Sequence, residues 1–330
     1  MSNILIIGAG SMGTAFSVPC SDNNHNVSII GTHLEDKFID ELNLKKKHPA
    51  LNCQFSKNVK FLKFEKLGEE INKKKDLIVI AVVSKGIEWV SSELSKVLKK
   101  NIPILMLTKG LAVNNNKYEL LTDKMERILK ENGVKEINIS VAGGPCLAKG
   151  LADKVHTSVV FANKNIEIAN QIKKLVATNY YHIFTSSDVV GVGVCAAIKN
   201  VFSMAIGTTK HLNTAASLVQ QSINEMSIFV KELNGKDETV RGLAGIADLY
   251  VSADGGRNSK MGTYLGEGMT FTEAKNKKMP NDTVEGADLA LEIGKKIKSD
   301  FKEDQLPLMI SMINTICDKK TLNIEWKKFK

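Results

Sequence analysis

The first part of the chain, up to about residue 187, alternates short apolar runs with amphipathic segments. The apolar runs are rich in β-branched residues and cover positions 4–7, 27–30, 77–82, 104–107, 137–141, 157–161 and 181–184. Their length and composition are typical of buried strands, whereas the segments between them, such as 166–177, have helical spacing. Strands that alternate with helices predict a parallel sheet with right-handed crossovers.

The pattern changes after Asp188. Four later segments have helical length: 189–207, 215–233, 284–297 and 306–317. No clear strand pattern occurs among them, and no internal repeat or low-complexity linker is present. We therefore predict an α/β protein with a doubly wound sheet at residues 1–187, followed by an all-α domain at residues 188–330.

The segment 189–207 is almost wholly apolar, yet Lys199 and Asn200 stand in its middle. As a helix it would carry a buried stripe at spacings of three and four, formed by Val192, Cys195, Ile198 and Phe202. A membrane segment is unfavourable, because a lysine at the bilayer centre costs about 2.5–3.5 kcal/mol and the polar pair interrupts the apolar run. In a protein core the ammonium group needs a partner or a shifted pKa, and such lysines are often catalytic.

Composition narrows the class of protein. The 330 residues are 43% hydrophobic and 25% charged, as in an ordinary globular protein. The net charge of +9 comes from lysines in short, scattered clusters without an RNA-binding or zinc-finger pattern, so we expect phosphorylated small molecules rather than nucleic acid as partners. Five scattered cysteines indicate neither a disulfide framework nor a metal site, and the lack of a secretory signal predicts a cytoplasmic location.

A glycine-rich loop follows the first predicted strand. Gly8, Gly10 and Gly13 form G-x-G-x-x-G before a helix, with Ser11 and Met12 at the helix start. The first glycine permits a tight turn, the second lets the backbone approach a pyrophosphate, and the third allows close helix packing. The helix N-terminus attracts the anion. This context predicts a Rossmann-like dinucleotide-binding domain rather than a glycine-rich turn without a ligand.

The choice between NAD and NADP stays open at the level of sequence. Folds that select NAD usually have an acidic residue about 20 residues after the loop, at the end of the second strand. Here residues 30–33 read IGTH, and no acid precedes Glu35. Thr32 and His33 are compatible with a ribose, with its 2′-phosphate or with a plain loop.

Ligands of a doubly wound sheet lie beyond the carboxyl ends of its strands. Lys109 follows the predicted strand at 104–107, where it is equally compatible with a site and with a surface loop. Gly144 lies in a Gly-Gly-Pro sequence after the strand at 137–141, and this sequence fixes a turn where the reactive ring of the cofactor would lie.

Charged residues also mark the later segment 242–262. Asp248 interrupts an apolar stretch as Lys199 does, so we expect these opposite charges to be partners, in preference to a helix-capping role for Asp248. Arg257 and Asn258 follow two glycines, whose N–H groups are accessible to an anion. A guanidinium grips phosphate oxygens in pairs and the chain has only three arginines, so we favour substrate binding by Arg257 over a surface ion pair.

With these motifs the chain resembles the NAD(P)-dependent sn-glycerol-3-phosphate dehydrogenases. The shared motifs span nearly the full length and are, in order, GAGSMGTA, TKGL, AGGPCLAKG, GVGVCAAIKN, GLAGIADLYVSADGGRN and TVEGA. The sequence departs from the family at Met12, where tryptophan is common, at Gly150 and Gly193, where glutamate is common, and at Ala247, where bacterial members often have glycine.

The resemblance implies roles for individual residues. Lys199 matches the catalytic lysine, with Lys109 and Asp248 in the same catalytic group. The implied substrate-binding residues are Lys109, Gly144, Asn200, Arg257 and Asn258. The implied contacts to NAD or NADP are Gly8, Gly10, Ser11, Met12, Gly13, Lys109, Ala148, Arg257 and Glu285. Glu285 is equally typical of an acid at a helix N-terminus.

The implied reaction interconverts sn-glycerol 3-phosphate and dihydroxyacetone phosphate, within glycerophospholipid and carbohydrate metabolism. Lys199 would exchange a proton with the substrate oxygen as a hydride moves between carbon 2 and the nicotinamide. The long apolar helices are compatible with a homodimer as well as with a core. Two alternatives stay open: a 3-hydroxyacid or 6-phosphogluconate type of dehydrogenase, and a non-catalytic dinucleotide sensor.

Overall fold

The computed structural model describes residues 1–51, 53–99 and 101–330, which form two compact units. The first unit comprises Met1–Lys109, Leu121–Ala142 and Cys146–Val189. The second comprises Gly110–Leu120, Gly143–Pro145 and Val190–Lys330. The predicted boundary at residue 187 lies close to the last of these divisions, but the sequence did not indicate that two short earlier segments join the second unit.

The strands are short and nearly all belong to one sheet. They are β1 (Asn3–Ile7), β2 (Asn26–Ile30), β3 (Val59–Leu62), β4 (Leu77–Ile80), β5 (Ile104–Met106), β6 (Leu111–Asn114), β7 (Lys117–Leu120), β8 (Ile139–Gly143), β9 (Thr157–Ala162) and β10 (Tyr181–Ser186). The eight-stranded sheet has the order β10-β9-β8-β5-β4-β1-β2-β3, and β6 and β7 form a separate antiparallel hairpin. All seven predicted strands are present, whereas β3 and the hairpin were not predicted.

The strand order places a topological switch point beside β1. This strand pairs in parallel with both β2 and β4, and β2 with β3, β4 with β5, and β5 with β8 are parallel as well. The chain thus builds outward from β1 to β3 on one side and from β4 onward on the other, the arrangement in which ligands bind at the carboxyl end of the first strand.

The central strand β1 is buried on both faces of the sheet. Ile4 and Ile6 belong to one apolar cluster, and Leu5 and Ile7 belong to another. Because successive side chains of a strand point to opposite faces, this division explains why the strand is continuously apolar rather than alternating.

Among the described residues, the helices that accompany the sheet are α1 (Ser11–Asp22), α2 (Asp36–Lys45), α3 (Leu67–Asn72), α4 (Ile87–Val97), α5 (Leu121–Glu131), α6 (Ala148–Ala152) and α7 (Ile166–Val176). The later helices are α8 (Val189–Ile206), α9 (Leu212–Glu232), α10 (Asp237–Val240), α11 (Asp248–Ala253), α12 (Arg257–Gly266), α13 (Phe271–Lys278), α14 (Glu285–Asp300) and α15 (Pro307–Cys317). A π-helical turn covers Leu243–Ala247, and 3₁₀ turns cover Phe64–Lys66, Ser84–Gly86 and Trp326–Lys328. The predicted succession of an α/β sheet and an all-helical segment is confirmed.

Helix α8 is the long apolar element of the second unit. By length and composition alone it could cross a membrane, but 94% of it is buried inside the protein. Glycines let it pack closely on α12, since a Cβ at Gly262 would collide with the carbonyl oxygen of Met204, and a Cβ at Gly207 would lie 2.7 Å from the Cα atom of Ser259. This close packing places the polar residues of the two helices within hydrogen-bonding distance.

Candidate active site

The phosphate loop joins β1 to α1 in the first unit. Gly8 has φ +109°, and a Cβ there would lie 2.6 Å from the carbonyl oxygen of Ala81, so only glycine fits this turn. A Cβ at Gly10 would meet nothing within 4 Å, which leaves open space against the backbone at the N-terminus of α1, where Ser11 and Met12 begin the helix. The loop therefore offers the cradle that a dinucleotide pyrophosphate needs.

Gly13 closes the loop against its own strand. A Cβ at this position would collide with the carbonyl oxygen of Gly8 and would lie 2.9 Å from the Cβ of Ala81. The hydroxyl of Thr14 donates to the carbonyl oxygen of Ala9 at 2.8 Å. The loop is thus held in one shape by contacts that tolerate no side chain at Gly13.

A carboxylate lies against the same loop. Oε2 of Glu35 accepts hydrogen bonds from the backbone N–H groups of Ala9 at 3.3 Å and Thr32 at 2.7 Å. The ring of His33 packs on Trp89, with ring centroids 4.7 Å apart. Spacing along the sequence marked Glu35 only as the first acid after β2, because it could not show that the turn after this strand folds back onto the loop.

Lys109 lies in the first unit, just beyond the carboxyl end of β5, as the sequence predicts. The hydroxyl of Thr108 donates to the carbonyl oxygen of Val82 at 2.7 Å, which ties this segment to the one that follows β4. Lys109 is partly buried. Its part in binding and catalysis stays a prediction.

Lys199 lies in the middle of α8 with only 7% of its side chain exposed. Its Nζ atom donates to Oδ1 of Asp248 at 2.6 Å, and the Asp248 side chain is 2% exposed. Nζ also donates to the hydroxyl of Ser252, four residues after Asp248 on the same face of α11. The predicted pairing of the two charges is confirmed, and Ser252 is a partner that the sequence analysis missed.

A π-helical turn leads directly into Asp248. Within this turn, a Cβ at Gly245 would collide with the carbonyl oxygen of Val240, so the backbone segments are in direct contact. Turns of this kind are rare and frequently occur at functional sites. The apolar pattern of the sequence gave no sign of it, because a π-helical turn and an α-helical turn bury similar residues.

Asn200 continues the polar region along α8. Nδ2 of Asn258 donates to Oδ1 of Asn200 at 3.1 Å, and Oδ1 of Asn258 accepts from the backbone N–H of Gly286 at 2.9 Å. A Cβ at Gly286 would collide with the carbonyl oxygen of Asn200, so this glycine lets α14 begin against α8. The glycine of the TVEGA motif therefore has a packing role beside the site.

Arg257 begins α12 on the exposed side of this region. Its Nε atom donates to the carbonyl oxygen of Thr283 at 2.7 Å, and its guanidinium forms an ion pair with Glu285. The Arg257 side chain is 52% exposed and that of Glu285 is 40% exposed. The surface ion pair that the sequence analysis disfavoured is therefore present, and substrate binding by Arg257 stays a prediction.

Gly144 and Ala148 follow β8 but belong to different units. Gly144 has φ +114° in the second unit, where a Cβ on the preceding Gly143 would lie 2.9 Å from Val192. Ala148 begins α6 in the first unit and packs against its apolar core. Packing holds Ala148, and the positive φ of Gly144 is a conformation that glycine adopts readily. The contacts of both residues to ligands stay predictions.

The polar residues described above in the second unit form three hydrogen-bonded sets at adjacent positions of α8 and α12, which together we call the Lys199 cluster. Its members are Lys199, Asn200, Asp248, Ser252, Arg257, Asn258 and Glu285. Residues far apart in the sequence are joined here by direct hydrogen bonds and by adjacency along α8 and α12. The loop glycines, Lys109 and Ala148 lie in the first unit.

Family models match both parts of the chain that contain these residues. The model described as NAD-dependent glycerol-3-phosphate dehydrogenase N-terminus matches residues 3–169, and the corresponding C-terminus model matches residues 188–325. The chain belongs to the NAD-dependent glycerol-3-phosphate dehydrogenase family. This match confirms the resemblance and supports it over the 3-hydroxyacid, 6-phosphogluconate and sensor interpretations. Members of the glycerol-3-phosphate dehydrogenase family are oxidoreductases that use NAD or NADP.

Curated relatives in the glycerol-3-phosphate dehydrogenase family match most of the chain. An NADP(+)-dependent glycerol-3-phosphate dehydrogenase of Archaeoglobus fulgidus is 29% identical over 313 residues, which cover 91% of this chain and 92% of the relative. A glycerol-3-phosphate dehydrogenase [NAD(P)+] of Fusobacterium nucleatum is 31% identical, with coverage of 90% and 88%.

Solved structures agree on the fold of the glycerol-3-phosphate dehydrogenase family. The crystal structure of glycerol-3-phosphate dehydrogenase from Coxiella burnetii matches with a TM-score of 0.84 at 22% identity, covering 97% of this chain and 96% of that one. The Plasmodium falciparum enzyme matches with the same TM-score at 20% identity, with coverage of 99% and 95%. At these identities the likeness supports the fold.

Proposed function

We propose that the protein interconverts sn-glycerol 3-phosphate and dihydroxyacetone phosphate with NAD(H) or NADP(H) as the second substrate. The observation that carries this proposal is the buried ion pair between Lys199 and Asp248, with the hydrogen-bonded Asn200–Asn258 pair and the exposed guanidinium of Arg257 at the adjacent positions of α8 and α12. A proton-transfer group and a phosphate-binding group are what this reaction requires of a protein.

Lys199 is the general acid and base of the proposed mechanism. In the direction of reduction, its ammonium group donates a proton to the carbonyl oxygen on carbon 2 while a hydride adds to that carbon. In the direction of oxidation, the neutral amine removes the proton from the hydroxyl group. When bound, the nicotinamide supplies or accepts the hydride.

Asp248 and Ser252 position the amine rather than react. Two acceptors on one face of α11 fix Nζ of Lys199 in direction as well as distance. The carboxylate also stabilises the ammonium form in a region from which water is largely excluded. Proton transfer then starts from a group that needs little reorganisation.

Arg257 binds the phosphate group of the substrate. Its paired N–H donors match phosphate oxygens, and its contact to Thr283 fixes the plane of the guanidinium. Asn200 and Asn258 hold each other in place and offer amide groups to the substrate hydroxyls. These contacts orient carbon 2 toward the hydride, an effect that contributes to rate through proximity.

The remaining parts of the proposal rest on the family. Residues 1–187 bind the dinucleotide, with its pyrophosphate on the loop of Gly8, Gly10 and Gly13, and residues 188–330 bind the phosphorylated substrate. Lys109 and Gly144 join the substrate site, and Ala148 and Glu285 contact the dinucleotide. The protein acts as a cytoplasmic homodimer that links carbohydrate and glycerophospholipid metabolism.

A direct assay tests the proposed reaction. Purified protein is mixed with NADH or NADPH and dihydroxyacetone phosphate, and the absorbance of the reduced nicotinamide is followed. We expect the reduced cofactor to be oxidised when dihydroxyacetone phosphate is present. Dihydroxyacetone itself should be a poor substrate, because it has no phosphate group for Arg257 to bind. No oxidation of either cofactor, or equal rates with the unphosphorylated ketone, contradicts the proposal.

A further inference from the structure

We propose that Glu35 makes the protein select NAD(H) over NADP(H). The inference deepens the proposed function, since it names the dinucleotide of the same site. It rests on the position of one carboxylate relative to the phosphate loop. Neither the family match nor the names of the relatives decides this preference, because they include NAD-, NADP- and NAD(P)-dependent forms.

The backbone fixes the position of Glu35. One of its oxygens, Oε2, accepts from the N–H of Ala9 inside the phosphate loop at 3.3 Å and from the N–H of Thr32 after β2 at 2.7 Å. The backbone N–H of Glu35 donates in turn to the carbonyl oxygen of Thr32 at 3.0 Å. A closed turn therefore holds the carboxylate at the carboxyl ends of β1 and β2, although it stands five residues beyond β2.

This is the place where Rossmann folds bind the adenosine ribose. A carboxylate beside the loop accepts hydrogen bonds from the vicinal hydroxyls of NAD. Oε2 of Glu35 is held by the backbone N–H of Ala9, in the same loop whose Gly10 faces open space. Along the sequence Glu35 lies beyond the end of β2, where the acid of NAD-selective folds usually stands. The fold of the turn thus brings its carboxylate back to the ribose position.

The 2′-phosphate of NADP meets unfavourable charge at the same point. It carries between one and two negative charges and would lie against a carboxylate that cannot move away without breaking two hydrogen bonds. The turn from Gly31 to Asp36 reads GTHLED and contains no lysine or arginine to bind this phosphate. The ring of His33 in this turn packs on Trp89.

Cofactor binding tests the inference without any turnover. The dissociation constants of NADH and NADPH are measured by the fluorescence of the reduced nicotinamide for the unmodified protein and for Glu35→Gln, Glu35→Ala and Asp36→Asn. Asp36 is the neighbouring exposed acid, so Asp36→Asn changes the charge equally and serves as the matched control.

We expect the unmodified protein to bind NADH at least about tenfold more tightly than NADPH, because the 2′-phosphate and the carboxylate carry charges of the same sign. Glu35→Gln and Glu35→Ala should both reduce this ratio about fivefold or more, and Asp36→Asn should leave it unchanged. Equal binding of the two dinucleotides by the unmodified protein overturns the inference.

A purely structural role of Glu35 gives a different result. If the carboxylate only holds the turn against the loop, Glu35→Ala weakens NADH and NADPH equally and the ratio stays constant, which also overturns the inference. Because these titrations need no second substrate, a protein that binds NADH selectively but does not reduce dihydroxyacetone phosphate would contradict the proposed function and leave the selectivity intact.

Discussion

The Nζ atom of Lys199 lies 2.6 Å from Oδ1 of Asp248, and both side chains are almost completely buried. Two charges removed from water stabilise each other only as a pair, and either one alone is strongly unfavourable. The pair therefore has a structural consequence that is separate from its proposed part in proton transfer.

Asp248→Ala is expected to lower the free energy of unfolding by about 3–5 kcal/mol, because it leaves the ammonium group of Lys199 buried without its carboxylate. The double variant Lys199→Met/Asp248→Leu should lose clearly less. Urea denaturation measures both, with Asp254→Ala, an exposed acid that follows the same helix, as the control. If Asp248→Ala is as stable as Asp254→Ala, the predicted contribution of the buried pair to stability is wrong.

Lys199→Ala should lower kcat by about 10²–10⁴-fold, the usual contribution of a general acid or base, with little change in the dissociation constant of NADH. Initial rates and cofactor titration separate the two effects. Lys199→Gln keeps a polar side chain at this buried position and lacks the amine. It should be as inactive as Lys199→Ala, and it serves as the test if the alanine variant folds poorly. Lys277→Ala, on the exposed surface of α13, is the control. Turnover within a few-fold of the unmodified protein would remove Lys199 from the mechanism.

Arg257→Lys should raise the KM for dihydroxyacetone phosphate by about tenfold or more, because an ammonium group cannot form the paired contact of a guanidinium with phosphate. Arg241→Lys is the matched control, since Arg241 is an exposed arginine of the second unit that pairs with Asp237. Steady-state kinetics with varied substrate measures both. The idea fails if the two variants have the same KM.

Gly10→Ala and Gly8→Ala should impair different properties of the protein, cofactor affinity and thermal stability respectively. A methyl group at Gly10 projects into open space, so the variant should keep its melting temperature but bind NADH about tenfold or more weakly, because the pyrophosphate can no longer approach the backbone. Gly8→Ala places a methyl group 2.6 Å from the carbonyl oxygen of Ala81 at a positive φ and should lower the melting temperature. Thermal denaturation and cofactor titration distinguish them. Normal NADH affinity in Gly10→Ala would exclude the proposed pyrophosphate position.

Glu225 predicts a dependence of stability on pH. Burial raises its pKa to about 7, although the side chain of Gln221 and the backbone N–H groups of Leu308 and Met309 donate hydrogen bonds to its carboxylate. The folded state then binds more protons than the unfolded state between the ordinary pKa of 4.5 and about 7. The stabilisation from the protonated form is therefore complete below this range and is lost as the pH rises through it, by up to about 3 kcal/mol.

Urea denaturation between pH 4.5 and 8 measures this dependence. Glu225→Gln should have a flatter profile of unfolding free energy than the unmodified protein, whatever its absolute stability. Glu232→Gln, an exposed acid at the end of the same helix, should leave the slope unchanged. Parallel profiles for the unmodified protein and Glu225→Gln would show that this carboxyl does not titrate in the range.

The hairpin β6–β7 shows which signals the sequence analysis overlooked. Its turn contains Asn115 and Asn116 at φ 47° and 56°, as a two-residue hairpin turn requires, and an Asn-Asn pair between alternating residues could have indicated it. The side chain of Leu120 at the end of this hairpin would lie 3.0 Å from a Cβ at Gly193. The glycine that departs from the family pattern at this position thus leaves the space that Leu120 occupies.

The sequence by itself determined the alternation of strands and helices, the phosphate loop, and the need of Lys199 for a buried partner. These features depend on local periodicity, on the backbone freedom of glycine and on the cost of burying a charge, all of which act on short stretches of chain. Tertiary structure alone decided that Ser252 also meets the amine, that a π-helical turn precedes Asp248, and that Glu35 reaches the phosphate loop. Such contacts depend on how separate segments pack, and no pattern within one segment records the distance to another.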